Sequence, residues 1–235
     1  MKREIIITAD GSATIHIPEW NEQYHSKHGA IQEAYHVFIK HGLHHSCHVE
    51  DIRNTDGSKI SILEIGFGTG LNAFITLLEA EKINQKVNYV GVEAYPVSLE
   101  EIKQLNYAMA LDEANRNSIF KKLHNVSWEE SYAITDNFKL TKRKQLFSKI
   151  KDEQAFNLIY FDAFGARVQP ELWTEDIFQI MFKALKPNGI LVTYSAKGSV
   201  RRAMQSVGFL VEKLPGPPGK REMLRATKHS TKVMS

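Results

Sequence analysis

The strongest constraint on the fold is one continuous stretch in which Ile60-Ser61-Ile62-Leu63-Glu64-Ile65 runs into Gly66-Phe67-Gly68-Thr69-Gly70 and then Leu71-Asn72. A dense run of isoleucine and leucine favours a buried strand, and alternating glycines let the backbone turn sharply and approach a ligand. Residues 71–81 then space their apolar side chains as a helix does. Strand, bend and helix in that order form the opening unit of an α/β fold. The unit recurs downstream: a strand at 87–93, helices within 96–122, a strand near 138–141 and a strand at 156–162. A helix over 170–185 meets the stop signal Lys186-Pro187-Asn188-Gly189 and is followed by strand 190–194, helix 199–207 and strand 209–214. A last strand at 222–227 follows the Pro-Gly-rich loop 215–219. This alternation predicts an α/β doubly wound, mostly parallel sheet.

Ahead of it, residues 4–9 and 12–17 are β-rich runs flanking Asp10-Gly11, which predicts a hairpin. Residues 18–43 include Glu33, Tyr35, Phe38 and Ile39 in a helical pattern. The expected division is a β-hairpin extension and lead-in segment at 1–45 and the main domain at 46–235. A length of 235 residues suits one large domain with an appendage, and 43% hydrophobic with 24% charged residues excludes wholesale disorder. No apolar run approaches the roughly 18 residues of a membrane span, so the default expectation is a cytoplasmic protein with no membrane partner. Cys47 is the single cysteine, which excludes an internal disulfide and a Cys-x-x-Cys pair. His41, His44, His45, Cys47 and His48 crowd one segment without an obvious closed ligand set, and they read as surface polar residues with no metal expected.

The glycine spacing separates two nucleotide-binding chemistries. A dinucleotide fingerprint would need its third glycine where Leu71 stands, which disfavours a nicotinamide or flavin. The run Glu64-x-Gly66-x-Gly68-x-Gly70 resembles instead the first motif of class I S-adenosylmethionine-dependent methyltransferases, whose glycines pass along the amino-acid part of the cofactor. Glu93 ends the next strand, where a sheet of this kind presents groups to ligands, and its carboxylate can accept both ribose hydroxyls. Asp162 closes the apolar strand Leu158-Ile159-Tyr160-Phe161. Burying a carboxylate is costly, which favours a functional role there over a helix cap or loop ion pair. Asp162-Ala163-Phe164 is not the Asn/Asp-Pro-Pro-Tyr of many enzymes that methylate exocyclic base amines.

Further segments occur in order: Gln169-Pro170-Glu171-Leu172-Trp173-Thr174, Ser199-Val200-Arg201-Arg202 and Lys220-Arg221-Glu222-Met223-Leu224, with Tyr24-His25-Ser26 and Glu33-Ala34-Tyr35-His36-Val37-Phe38 upstream. Together with Asp162-Ala163-Phe164 they resemble the MnmC-type tRNA 5-methylaminomethyl-2-thiouridine methyltransferases from about Tyr24 to Thr227. Two positions depart from that family: Gly165-Ala166 stands where Ala-Pro is usual, and Lys142, Arg143 and Lys144 lie near a usual acidic position. The resemblance implies a class I methyltransferase fold, S-adenosyl-L-methionine as cofactor and the anticodon loop of tRNA as partner. It also implies methyl transfer to the aminomethyl nitrogen of wobble 5-aminomethyl-(2-thio)uridine. The expected form is the stand-alone methyltransferase, served by a separate oxidase that generates the amine. Cofactor contacts fall on Glu64, Gly66, Gly68, Gly70, Asn72, Glu93 and Asp162, with Asp162 also catalytic. Substrate and RNA contacts fall on Phe164, Lys220, Arg221, Arg201 and Arg202. The basic run at 139–151 reads as mainly a solvated face. Two rivals remain open: a small-amine methyltransferase, which expects a closed acidic cavity, and a non-catalytic RNA-binding module on the same fold.

Overall fold

The computed structural model describes residues 2–48 and 59–229. The hairpin forms from β1 (Glu4–Ile7) and β2 (Ala13–Ile17), and a short third strand β3 (Glu22–Gln23) adds to β2. The strands that follow are β4 (Lys59–Ile65), β5 (Lys86–Glu93), β6 (Ser131–Thr135), β7 (Phe138–Lys144), β8 (Phe156–Phe161), β9 (Leu185–Thr193), β10 (Leu210–Pro215) and β11 (Glu222–Thr227). These eight form one sheet in the order β10-β11-β9-β8-β4-β5-β7-β6. The five central strands pair in parallel, and β6, β10 and β11 pair antiparallel at the margins. The doubly wound sheet is therefore as expected. β4 has β5 on one side and β8 on the other, so the strand order reverses there and opens a crevice at the strands' carboxyl ends, where such sheets bind ligands.

Strand side chains alternate between two apolar layers. Ile60 and Ile62 of β4 join Phe74, Ile75 and Leu78 of the helix Leu71–Lys82, whereas Leu63 and Ile65 join Phe178 and Met181 of the helix Glu175–Ala184. Glu64 keeps step with Ile62, and Asp162 with Tyr160. Both carboxylates therefore face the helix that carries Asn72.

After the hairpin come the helix Ala30–Ala34, a π-helical stretch Tyr35–His44 and the turn His45–His48. Ala13, Ile15, Val37, Phe38 and Leu43 are buried in the same apolar cluster as residues of β4 and β8. The lead-in segment thus completes the core on one face of the sheet.

The Lys186-Pro187-Asn188-Gly189 signal works differently from the expectation. The helix has already ended at Ala184, and these residues loop out within β9: Leu185 pairs with Phe156 while Ile190 pairs with Leu158. Asn188 takes φ +62°, which fits a bulge. Residues 170–173 form a separate 3-10 turn before the helix.

Candidate active site

A cavity of about 780 Å³ opens at the carboxyl ends of β4, β5 and β8. Gly66, Gly68, Glu93, Asp162, Phe164 and Lys220 line it, so six of the residues singled out from sequence come together in one space. Trp20, Tyr24, His25, Glu33 and Tyr194 line it as well, and the sequence assigns them no role.

The glycine bend is fixed from below by β5. The N–H groups of Gly66 and Phe67 both donate to Val92 O, at 3.0 and 3.1 Å, and Gly70 N–H donates to Phe67 O at 2.9 Å. Gly66 has φ +89°, and a Cβ there would come within 2.8 Å of Asp162 O, so only glycine allows β4 and β8 to end side by side. These N–H groups are occupied within the protein. Gly66 and Gly68 line the cavity without side chains, and the Tyr24 ring packs against Gly68, 3.1 Å from where a Cβ would stand.

Glu93 is held on both oxygens. Gly68 N–H donates to Oε2 at 3.1 Å and Tyr95 N–H to Oε1 at 2.9 Å. The carboxylate is pre-positioned at the cavity wall, with lone pairs left for further donors.

Beside it stands a clamp. The Asn72 amide donates to Glu64 Oε1 at 3.0 Å and to Asp162 Oδ2 at 2.8 Å, tying two carboxyl groups to one side chain. Glu64 is 1% exposed, and burial, together with the Asp162 charge, pushes its pKa well above the carboxylate range. Asp162 is raised to about 7, first by burial and then by the charge of Glu33, against the opposing Asn72 hydrogen bond and Lys220. A carboxyl poised near neutrality at a cavity wall is suited to accepting a proton.

Three expected cofactor contacts sit elsewhere. Glu64, Gly70 and Asn72 do not line the cavity. Glu64 points into the helix layer one residue before β4 ends, and Asn72 is spent on the two carboxyl groups, so both support Asp162 from behind. Gly70 is covered by His124, whose Nε2 would lie 2.8 Å from an added Cβ.

Phe164 meets Tyr24 and Trp20 edge to face, with centroids at 4.9 and 5.5 Å, which builds an aromatic wall whose Tyr24 ring packs against Gly68 of the bend. Lys220, expected as a substrate or RNA contact, lines the cavity. Its ammonium pairs with Glu33 and lies 3.8 Å from the centroid of the Tyr194 ring, inside the cavity. Arg221 and Arg202 are exposed and Arg201 half-buried, all outside the cavity. In the basic run, Arg143 pairs with Asp152 at 2.6 Å, but Lys142 is 1% exposed rather than solvated. Its Nζ donates to His124 O at 2.6 Å above the Trp128 ring, and burial lowers its pKa to about 8. In the histidine segment, His44 pairs with Glu79 at 2.9 Å, and the His48 side chain lies outside the described residues. Among the described residues no three His, Cys, Asp or Glu side chains come together as metal ligands, and no helix is long and apolar enough to cross a membrane.

The cavity fits S-adenosyl-L-methionine: a glycine bend at the crevice, a fixed carboxylate at the end of the neighbouring strand, and a volume of about 780 Å³. Comparison with known proteins agrees. The family described as S-adenosyl-L-methionine-dependent methyltransferase matches residues 117–229. The tRNA 5-methylaminomethyl-2-thiouridine biosynthesis bifunctional protein MnmC of Cupriavidus metallidurans is 28% identical, across 94% of this chain and 33% of its own length. This chain thus spans about a third of the length of the curated relatives it matches. The crystal structure of MNMC2 from Aquifex aeolicus aligns with a TM-score of 0.75 at 25% identity, covering 97% of this chain and 71% of that one. Spermidine synthase from Thermotoga maritima shares the fold, with a TM-score of 0.52 at 14% identity over 96% of this chain and 68% of its own. Fold, cavity and relatives together make this chain similar to the MnmC-type S-adenosyl-L-methionine-dependent methyltransferases.

Proposed function

We infer that this protein methylates the aminomethyl nitrogen of 5-aminomethyl-(2-thio)uridine at the wobble position of tRNA. The observation that carries the reading is Asp162: a carboxyl with a pKa of about 7, fixed by Asn72, between the glycine bend and the aromatic wall of one cavity. Relatives whose names specify 5-methylaminomethyl-2-thiouridine biosynthesis support the choice of amine. S-adenosyl-L-methionine, when bound, supplies a sulfonium methyl group.

The protein's own residues do the rest. Gly66 and Gly68 let the backbone run close beside the cofactor, and Glu93 holds its ribose. Phe164, Tyr24 and Trp20 receive a base splayed out of the anticodon loop, since reaction inside a stack is sterically closed. Asp162 accepts a hydrogen bond from the amine, aligns its lone pair and takes its proton. An alkyl ammonium titrates near the lysine value of about 10.4, so positioning and deprotonation are the tasks left to the enzyme. Arg201, Arg202 and Arg221 contact RNA phosphates on the outer face. The substrate amine is the product of an oxidase acting on a more elaborate wobble side chain, and the site of action is the cytoplasm.

A small-amine methyltransferase is less well supported, because the cavity carries Arg3, Lys197 and Lys220 beside its carboxylates rather than acids alone. The test is incubation of tRNA bearing 5-aminomethyluridine with cofactor labelled in its methyl group, followed by nucleoside mass spectrometry. One labelled methyl on that nucleoside is expected. Label on a polyamine and none in tRNA would transfer the enzyme to the rival class.

A further inference from the structure

The geometry points to Lys220 as the residue that reads the base, donating a hydrogen bond to the carbonyl oxygen O4 beside the aminomethyl arm and so restricting the reaction to uracil rather than cytosine. The inference rests on the amine-methylation reading and adds to it the determinant of base identity.

Lys220 is held in place from several sides. It sits on a turn closed by Lys220 N–H to Pro217 O at 2.9 Å and Gly216 N–H to Arg221 O at 3.1 Å, and its side chain runs inward. Glu33, 6% exposed and itself fixed by Ser26 N–H at 2.9 Å, takes one of its three donors, while the Tyr194 ring supports the ammonium at 3.8 Å. The Tyr194 hydroxyl donates to Ala163 O at 2.8 Å, which ties this support to the residue after Asp162. The charges of both Glu33 and Lys220 reach Asp162. A phosphate reader would stand outside, as Arg221 does. A cation held inside and already neutralised by Glu33 is instead a directed donor.

The chemistry of the substrate explains why one is required there. In a 5-aminomethyluracil the arm leaves C5 and the neighbouring ring position carries O4, so a group that grips the amine and a group that reads O4 must be neighbours. Asp162 and Lys220 are such a pair. Cytosine places an amino group at that position, and two donors would face each other in a confined site. A site built to hydrogen-bond one group rejects a mismatched analogue strongly, because its own polar group is left unpaired.

The test uses two anticodon stem-loop RNAs, one with 5-aminomethyluridine and one with 5-aminomethylcytidine at the same position. The wild-type protein should prefer the uridine RNA by about 10²-fold or more in kcat/KM. Lys220→Met should reduce that preference to within about tenfold, by losing rate on uridine while holding or gaining rate on cytidine. Because this variant strands Glu33, the Glu33→Gln/Lys220→Met double variant is measured beside it, with calorimetric cofactor binding as the check on folding. Retention of the uridine preference in both variants, or equal wild-type rates on the two RNAs, would overturn the inference. Failure of the wild type to methylate either RNA would remove the amine-methylation reading and the inference together.

Discussion

At Asp162, burial and the negative charge of Glu33 outweigh the Asn72 hydrogen bond and the Lys220 cation, and the carboxyl titrates at about 7 instead of its ordinary 3.8. A carboxyl raised on folding favours the folded state at low pH and loses that contribution as pH climbs from 3.8 to about 7. Asp162→Asn should therefore melt above wild type at pH 8, by a margin that shrinks toward pH 5, since the amide keeps an acceptor for Asn72. Thermal melts at the two pH values check this, and a margin independent of pH would show that the carboxyl's charge is not what is removed. With Glu93 holding the ribose as proposed, Glu93→Ala should weaken cofactor binding by about 1.5–3 kcal/mol in calorimetry, as for a charge-assisted hydrogen bond. Unchanged affinity would take the ribose away from Glu93. Both carboxylates are readable in the sequence because each ends an apolar strand, and the carboxyl ends of these strands open on the cavity. Glu33, Tyr194 and Trp20 are not, because each reaches the cavity only through packing between segments distant in the chain.

Among the elements, the strands that are buried on both faces announce themselves: β4, β5 and β8 are runs of apolar residues whose ends fall within a residue or so of expectation. β6 escapes a reading of the sequence because Ser131–Thr135 is a half-exposed edge strand that pairs only with β7, so it lacks an apolar signature. The bulge in β9 imitates a loop in sequence, since Pro187, Asn188 and Gly189 suit both. β5 contributes something less visible at Gly91, where an added Cβ would stand 2.3 Å from Phe67 Cδ2. The Phe67 ring lies across this strand and anchors the glycine bend. Gly91→Ala should push the ring away, lower stability by about 1–3 kcal/mol as overpacking does, and weaken cofactor binding although residue 91 does not line the cavity. Denaturant melts and calorimetry measure the two effects. Loss of stability with full cofactor affinity would show that the bend holds its shape without Phe67.

For the whole molecule, the net charge of +3 is small, so the proposed binding of RNA rests on where the cations stand. Arg201 and Arg221 both act on the Glu222 carboxylate, which is held low first by its Lys213 hydrogen bond, and this brings the two arginines to one face beside the cavity turn. Arg201→Ala and Arg221→Ala should each reduce tRNA affinity and flatten its salt dependence by about one unit of slope for each phosphate left without its cation, with cofactor affinity unchanged. An unaltered slope would make them ordinary surface charges. The proposed reaction joins all three scales: a cofactor on the glycine bend, a base on the aromatic wall, and an amine delivered to Asp162. The most direct measurement of it is the single-turnover rate of methyl transfer to tRNA carrying 5-aminomethyluridine, at saturating cofactor across pH, for wild type and Asp162→Asn. The account predicts one methyl added to that nucleoside, a wild-type rate that falls as pH drops below about 7, and a variant slower by ~10²–10⁴-fold that recovers partly at high pH. A wild-type rate from the variant, or no methyl on that nucleoside, would contradict it.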